Sequence, residues 1–154
     1  MIAIRAMALQ DLDAVLALES SIAEAPHWNR VMYEKVVNEK LGAVASGVRH
    51  GAFVAMSGER LVGFIVAARV LEVCEIESIV VAGDARREGV GRALLEAISN
   101  WAATGGAERL QLEVRAGNLN AIRFYERAGL VNQGVRRGYY RDPEEDAVLM
   151  GRRL

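Results

Sequence analysis

The chain has 154 residues, 52% hydrophobic and 25% charged, so it is long enough for a sizeable core and predicts a single domain over residues 1–154. Nineteen lysines and arginines stand against twenty aspartates and glutamates, and this net charge of −1 argues against nucleic acid as the main ligand. Cys74 is the only cysteine, which excludes an internal disulfide and a cysteine-based zinc site.

The first predicted element is a strand, IAIRAM at 2–7, in a place where a secretory signal peptide would be basic and then apolar. No apolar run approaches the roughly 20 residues that a transmembrane helix needs, so we expect a soluble, cytoplasmic protein that does not bind membranes. Two helices are predicted next, at LQDLDAVLALESSI (9–22) and NRVMYEKVVNEKL (29–41), because their apolar residues recur at helical spacing. Val, Ile and Phe are dense over 51–82 and predict three strands, the first two joined by a hairpin at Ser57-Gly58.

The second half of the chain alternates between helical and strand patterns. A third helix is predicted from about Val90 to Ala103, and Gly105-Gly106 end it. After it, RLQLEVRA (109–116) predicts a strand, NLNAIRFYERAG (118–129) a helix, and the remaining residues two strands around a polar loop. The predicted order is therefore β, α, α, β, β, β, α, β, α, β, β.

The segment RREGVGR, residues 86–92, lies between the third of these central strands and the third helix. A glycine-rich turn at a helix start leaves backbone N–H groups unpaired at the positive end of the helix dipole. Gly89 and Gly91 let an anion approach these amides without meeting a Cβ, and the three arginines of the segment add charge. The Walker and dinucleotide-binding patterns are absent, which makes ATP and NAD poor candidates. The segment predicts a pyrophosphate site; a flexible arginine-rich loop is the alternative explanation.

In this context the segment resembles the cofactor loop of the GNAT superfamily of acetyl-CoA dependent N-acetyltransferases, Arg/Gln-x-x-Gly-x-Gly/Ala. The resemblance extends over essentially the whole chain and is narrower to the branch that acetylates the N-terminal alanine of ribosomal proteins. The stretches that carry this narrower resemblance are HWN (27–29), LEVRAGNLNAIRFYERAGL (112–130), RRGYY (136–140) and EDAVLM (145–150). It implies an α+β fold, with a mixed, mostly antiparallel sheet of six or seven strands, flanking helices, and a splayed strand pair that holds coenzyme A.

The resemblance implies transfer of an acetyl group from acetyl-CoA, without a metal, to the N-terminal α-amino group of a protein, with a ribosomal protein as the acceptor. Two alternatives stay open: a GNAT enzyme for a small-molecule amine, and a module that binds acyl-CoA without catalysis. An α-amino group has a pKa near 8 and lysine one near 10.4, so neutral lysine at pH 7 costs about 3 kcal/mol more. The sequence leaves open the acceptor's first residues, the acyl-chain preference and the choice between monomer and homodimer.

The resemblance also implies catalytic roles. Glu113 matches the family carboxylate beside the thioester and would be the base, while Tyr125 matches the tyrosine that protonates the coenzyme A thiolate. Glu75 and Glu77, on the preceding strand, are competing bases because other GNAT enzymes place theirs on that strand. Structural explanations stand beside these roles: a carboxylate alternating with apolar strand residues is often merely solvated, and a helical tyrosine is often core.

The remaining implied roles concern binding. Asn118 would cap the fourth helix and also bond coenzyme A, and Glu75, Tyr139 and Tyr140 would shape the acceptor pocket. Ser78 is interpreted as the mark of a bulge that opens the cofactor slot. The residues implied to bind the cofactor are Ile79, Val80 and Val81 through their backbone, Arg86, Arg87, Glu88, Gly89, Val90, Gly91 and Arg92 in the loop, and Asn118 and Tyr125. Gly83 and Glu88 depart from the usual proline and the usual basic or neutral residue, which predicts a weaker cofactor site.

Overall fold

The computed structural model describes residues 1–22, 25, 27–39 and 47–154. Within them the helices and strands follow the predicted order, which is confirmed. The strands are β1 Ile2–Ala6, β2 Val48–Ser57, β3 Arg60–Val70, β4 Val73–Val81, β5 Arg109–Arg115, β6 Val131–Tyr140 and β7 Glu145–Arg153. The helices are α1 Leu12–Ser20, α2 Arg30–Asn38, α3 Val90–Thr104 and α4 Leu119–Arg127.

The seven strands form one sheet in the order β1-β2-β3-β4-β5-β7-β6. Neighbouring strands run antiparallel, except for β4 and β5, which run parallel because α3 connects them as a crossover. The sheet is therefore mixed and mostly antiparallel, and the predicted α+β fold is confirmed.

The sheet carries a separate hydrophobic core on each face. One core packs Leu94 and Ile98 of α3 against the sheet and includes Tyr125 of α4, and we call this side the α3 face. The other core packs Leu12 of α1 and Tyr33 of α2 against the opposite side, which we call the α1 face. The alternation of side chains along each strand therefore decides which face, and which set of helices, a residue meets.

β4 and β5 pair only where they begin. Residues 73–75 of β4 pair with residues 109–111 of β5, and the pairing stops there although both strands continue. The strands consequently diverge from Ile76 and Leu112 onward, and we call the opening between them the split. The predicted splayed strand pair is present.

A β-bulge lies at the start of the split. On β3, Val66 pairs with Ser78 and the next residue, Ala67, pairs with Ile76, which leaves Glu77 as an extra residue of β4. The bulge was predicted at Ser78, and the extra residue is its neighbour. Ile76 belongs to the core of the α3 face, whereas Val80 belongs to the core of the α1 face.

Two helix boundaries differ from the sequence prediction. α1 begins at Leu12 rather than at residue 9, because Asp11 accepts a hydrogen bond from the Ala8 amide (2.8 Å) and pairs with Arg5 (2.7 Å), which holds a separate 3₁₀ turn. The second helix was predicted to reach residue 41, and its last two residues lie outside the described ranges. Within those ranges, no helix is both long and apolar enough to cross a membrane.

Candidate active site

The N-terminus of α3 opens without a side-chain cap. Gly89 is the N-cap residue, with φ of 80°, and Arg87 is also left-handed, with φ of 67°. The amide of Ala93 makes the first bond of the helix, to the Gly89 carbonyl (3.0 Å), so the amides of residues 90–92 point out of the helix end. α2 and α4, by contrast, both begin with an asparagine side chain that accepts a backbone N–H.

Three arginines surround this open terminus. The side chains of Arg86, Arg87 and Arg92 are exposed, and within the described ranges none of them has an ion-pair partner. Glu88 is also exposed, and its charge acts on Arg60, whose pKa is raised mainly by a hydrogen bond to Asp84 and least by Glu88. Unpaired amides and unpaired guanidinium groups together form a site for a di-anion such as a diphosphate.

The two glycines of the loop have different structural reasons. A Cβ on Gly89 would meet nothing within 4 Å, but its positive φ disfavours any side chain. A Cβ on Gly91 would lie 3.1 Å from the ring of Phe124, so Gly91 is what allows α3 and α4 to pack closely. Both glycines were predicted to allow an anion to approach; only Gly89 borders open space.

The two strands that flank the split carry buried side-chain atoms that make no hydrogen bond. Ile79, Val80 and Val81 pair with β3 along one edge, and the other edge of β4 faces the split. Buried polar side-chain atoms usually have a hydrogen-bond partner. Among the described residues, the three buried side-chain atoms without one are Glu77 Oε1, Ser78 Oγ and Glu113 Oε2, and all three residues lie on the two strands that flank the split.

Glu113 lies on the α1 face, because its neighbours Leu112 and Val114 belong to the core of the α3 face. Its side chain is 16% exposed, and its Oε1 lies 3.3 Å from Nε of Arg136. The carboxylate raises the pKa of the nearby Tyr139 hydroxyl, through a hydrogen-bond interaction and then through its charge. No role was predicted for Arg136, although it belongs to the RRGYY stretch, where an arginine near two tyrosines was the available signal.

The tyrosines connect the two faces of the split. Tyr139 and Tyr140 pack edge to face, with ring centroids 5.1 Å apart. Tyr125 is buried on the α3 face, and its pKa is raised by burial and then by the charge of Tyr140. The pKa of Tyr140 is raised by burial and then by Glu113. The structure therefore gathers Glu113, Tyr125, Tyr139 and Tyr140 around one opening.

The carboxylates of β4 lie beside a histidine of β2. Glu75 is exposed, and its charge contributes least to the raised pKa of Tyr139. Burial raises the pKa of Glu77, and its Oε1 lies 3.5 Å from Nε2 of His50. The Nδ1 atom of His50 lies 3.0 Å from Oε2 of Glu39. The contact of His50 with Glu77 was not predicted, because no motif connects residues of β2 with residues of β4.

Asn118 performs the capping role predicted for it. Its Oδ1 accepts a hydrogen bond from the amide of Ala121 (3.3 Å) at the start of α4. A bond from Asn118 to coenzyme A stays a prediction. Nearby, Glu145 accepts a hydrogen bond from the amide of Gly117 (2.6 Å) and pairs with Arg115 (3.2 Å). Its carboxylate is therefore already bound by other residues of the chain.

Trp28, just before α2, is anchored over the α1 face by a buried carboxylate. Glu19 is 1% exposed and accepts hydrogen bonds from the amide of Trp28 and the hydroxyl of Tyr33, each at 2.6 Å. The ring of Tyr33 packs against Trp28 and against Phe64 of β3. This arrangement fixes the HWN stretch on the same side of the sheet as Glu113.

In the described part of the chain, no group of three or more His, Cys, Asp or Glu side chains has the arrangement of a metal site. Titratable side chains around the split and the open terminus of α3 are the chemical groups that this part of the molecule presents. They suit an anionic cosubstrate that enters from the α3 face and an acceptor that meets carboxylates on the α1 face.

Comparison with known proteins points to one family. The model of the acetyltransferase (GNAT) family matches residues 12–130. The ribosomal protein bS18-alanine N-acetyltransferase of Escherichia coli K12 is 36% identical over 115 residues, which cover 73% of this chain and 78% of that protein. The crystal structure of the ribosomal-protein-S18-alanine N-acetyltransferase from Escherichia coli has a TM-score of 0.81 at 29% identity, covering 100% of this chain and 94% of that one. Arabidopsis thaliana NAA60, in complex with acetyl-CoA, shares the fold with a TM-score of 0.84 at 20% identity, covering 100% and 99% of the two chains.

Proposed function

The chain belongs to the acetyltransferase (GNAT) family and is an acyltransferase, and we propose that it acetylates the N-terminal α-amino group of a ribosomal protein. The observation that carries the proposal is the split, with the open terminus of α3 toward one face and Glu113 on the other. The relatives that act on the alanine of a ribosomal protein direct the choice of acceptor.

The α3 side of the split fits acetyl-CoA, which is the cosubstrate of the family and supplies the acetyl group as a thioester. The amides of residues 90–92 and the three loop arginines hold the diphosphate. The free edge of β4 at Ile79, Val80 and Val81 binds the pantetheine arm as an added strand does. The unpartnered Ser78 Oγ agrees with a polar group entering the split, since a buried hydroxyl is rarely left without a partner.

Glu113 acts as the base in this proposal. Amide formation needs a neutral nitrogen that loses a proton as it attacks, and the buried Oε2 of Glu113 has no competing hydrogen bond. Arg136 pairs with the other carboxylate oxygen, Oε1, at 3.3 Å, and Tyr139 lies close enough for the carboxylate to raise its pKa.

Tyr125 acts as the acid. Its raised pKa keeps the hydroxyl protonated at neutral pH, so a proton is available for the departing thiolate. The hydroxyl makes no hydrogen bond within the part of the chain that the structure describes, which leaves it free to donate. Glu113 raises the pKa of Tyr140, and Tyr140 in turn raises the pKa of Tyr125. The acid and the base therefore belong to one group of interacting residues.

The α1 side of the split receives the acceptor amine. An α-amino group is less costly to deprotonate at pH 7 than lysine, so a protein N-terminus suits a site with one carboxylate base. Glu75 and Glu113 attract the ammonium form as it arrives, and Tyr139 and Tyr140 border its path. The anchored HWN stretch supplies a further wall on this face.

Incubation with acetyl-CoA and a panel of amines tests the proposal. The panel contains basic peptides that start with alanine, the same peptides with a blocked N-terminus and one lysine, and small amines such as spermidine. We expect thiol release and a single added acetyl group only on the peptides with a free N-terminus, measured by mass spectrometry. Acetylation of small amines alone contradicts the choice of acceptor, and tight coenzyme A binding without any transfer contradicts the enzymatic role.

A further inference from the structure

His50 bridges two carboxylates that belong to different elements. Its Nε2 faces Glu77 in the β4 bulge at 3.5 Å, and its Nδ1 faces Glu39 at the end of α2 at 3.0 Å. Glu39 Oε2 also accepts the backbone N–H of His50 at 2.6 Å, which locks the imidazole between the two groups. The three side chains therefore form a row that runs from β4 to the end of α2, where the side chain of Glu39 is 21% exposed.

The β4 end of the row belongs to a strand that flanks the split. Glu77 follows by two residues the last residue of β4 that pairs with β5, and Glu113 follows the corresponding residue of β5 by two. Both carboxylates therefore flank the split, one on each strand. Glu77 Oε1 is buried and has no hydrogen bond of good geometry, as is true of Glu113 Oε2.

The reaction requires two proton acceptors when the acceptor amine arrives as an ammonium ion. The nitrogen loses two protons while its bond to the acetyl carbon forms and the carbon–sulfur bond breaks. One proton is balanced by the proton that Tyr125 gives to the sulfur, and Glu113 takes it. The other proton has no place in the thiol or the amide product and is released to solvent. Glu113 and Tyr125 thus account for only one of the two protons.

We propose that Glu77, His50 and Glu39 form a relay that removes the first proton of the acceptor ammonium and delivers it to solvent. The inference rests on the proposed amine acetylation. A proton passes from the acceptor nitrogen to Glu77, then to His50 Nε2, while His50 Nδ1 releases its own proton to Glu39. His50 is a positioning residue in this scheme, since it acts on the acceptor through Glu77.

The surroundings of His50 favour this direction of transfer. The charged groups that face His50 are Glu39 from the end of α2 and Glu77 from β4, and Glu75 lies near Glu77. The residue that pairs with His50 on β3 is the uncharged Ala68. Burial raises the pKa of Glu77, which makes it a better proton acceptor than an exposed glutamate. Histidine is the side chain that exchanges protons most readily near neutral pH.

The test compares wild type with His50→Gln over a range of pH, using the amine that wild type acetylates fastest in the panel above. Glutamine keeps a hydrogen-bonding side chain but neither gains nor loses a proton near neutral pH. We expect kcat/KM for the acceptor to fall about tenfold near pH 6.5 and to approach wild type above the acceptor's own pKa of about 8, because the amine is then already neutral. KM for acetyl-CoA and the unfolding temperature stay unchanged. Imidazole added to His50→Ala restores part of the lost rate.

Arg49→Gln is the matched control, since Arg49 is the exposed neighbour of His50 on β2 and points to the other face. It keeps the wild-type pH profile. A His50→Gln variant with full activity at every pH overturns the relay. The relay is also overturned if both His50 variants lose activity equally at every pH and imidazole does not restore the rate of His50→Ala. Absence of acetyl transfer to every protein N-terminus contradicts the proposed acceptor instead, and the relay is then judged on the amine that is acetylated.

Discussion

The two sides of the split recognise their partners by different means. On the α3 side the groups present are backbone amides, a free strand edge and three exposed arginines that have no ion-pair partner among the described residues. On the α1 side they are side chains already held by other side chains: Glu113 by Arg136, and His50 by Glu39 and Glu77. One side is open until a cosubstrate binds, and the other is organised in advance.

This difference has an energetic reason. Unpaired amides at a helix terminus bind water, so leaving them free costs little. A diphosphate carries enough charge to satisfy several of them at once. A catalytic carboxylate works only in a defined orientation, so its supporting contacts must exist before the substrate arrives. The comparison predicts that α1-side variants act on kcat and that variants of the α3 terminus act on KM for acetyl-CoA.

Glu113→Gln is expected to have the largest effect and tests the α1 side. The amide has nearly the same shape but accepts no proton, so kcat should fall about 100-fold or more while KM for acetyl-CoA stays within about twofold. Steady-state thiol release at saturating acceptor measures both constants. Glu126→Gln, at an exposed position of α4, is the control and keeps wild-type kinetics. A loss expressed only in KM for acetyl-CoA would reverse the assignment of the two sides.

Tyr125→Phe is expected to have an intermediate effect, because Tyr125 lies on the α3 side but is the acid of the proposed reaction. The ring keeps its edge-to-face contact with Phe124 at 5.3 Å, so the unfolding temperature should not change. We expect kcat to fall about 10-fold to 100-fold, since the thiolate departs without a proton donor. The same thiol assay, combined with thermal unfolding, checks this. Unchanged kcat would reduce Tyr125 to a core residue.

Gly89→Ala is expected to have the smallest effect and tests the α3 side. An alanine at φ of 80° is strained by about 1 kcal/mol, although its Cβ meets no atom within 4 Å. We expect a several-fold rise in KM for acetyl-CoA, unchanged kcat and a lower free energy of unfolding, measured by kinetics and urea denaturation. Gly83→Ala is the control, because Gly83 also borders open space but has no positive φ. Equal effects from both substitutions would remove the special role of the Gly89 backbone.

The order of helices and strands was readable from the sequence because apolar periodicity is local. The helix starts at Arg30 and Leu119 could also be predicted from the local sequence, since an asparagine precedes each one. The parallel pairing of β4 with β5, and its early end, required the family resemblance. Such pairing joins residues more than thirty positions apart, and no local pattern encodes it.

The residues around the split could be predicted where a motif covers them, and their contacts could not be predicted where tertiary packing creates them. Glu113, Tyr125 and the loop arginines came from matched stretches. The contact of Arg136 with Glu113 joins β6 to β5 across β7, and that of His50 with Glu77 joins β2 to β4 across β3. Gly91 was given the same reason as Gly89, because the sequence does not reveal that Phe124 lies against it.

The bulge at Glu77 gives β4 two phases of alternation. Before it, Ile76 faces the helices of the α3 face, and after it the side chains that face those helices are Ile79 and Val81. Because side chains alternate with a period of two, removing this one residue would place Ser78 directly after Ile76 in a regular alternation and leave every later side chain of β4 on its present face. A single codon deletion at this position would thus remove the bulge without exchanging residues between the two cores. Sequence comparisons that place a gap here would therefore mark proteins whose β4 keeps one phase throughout.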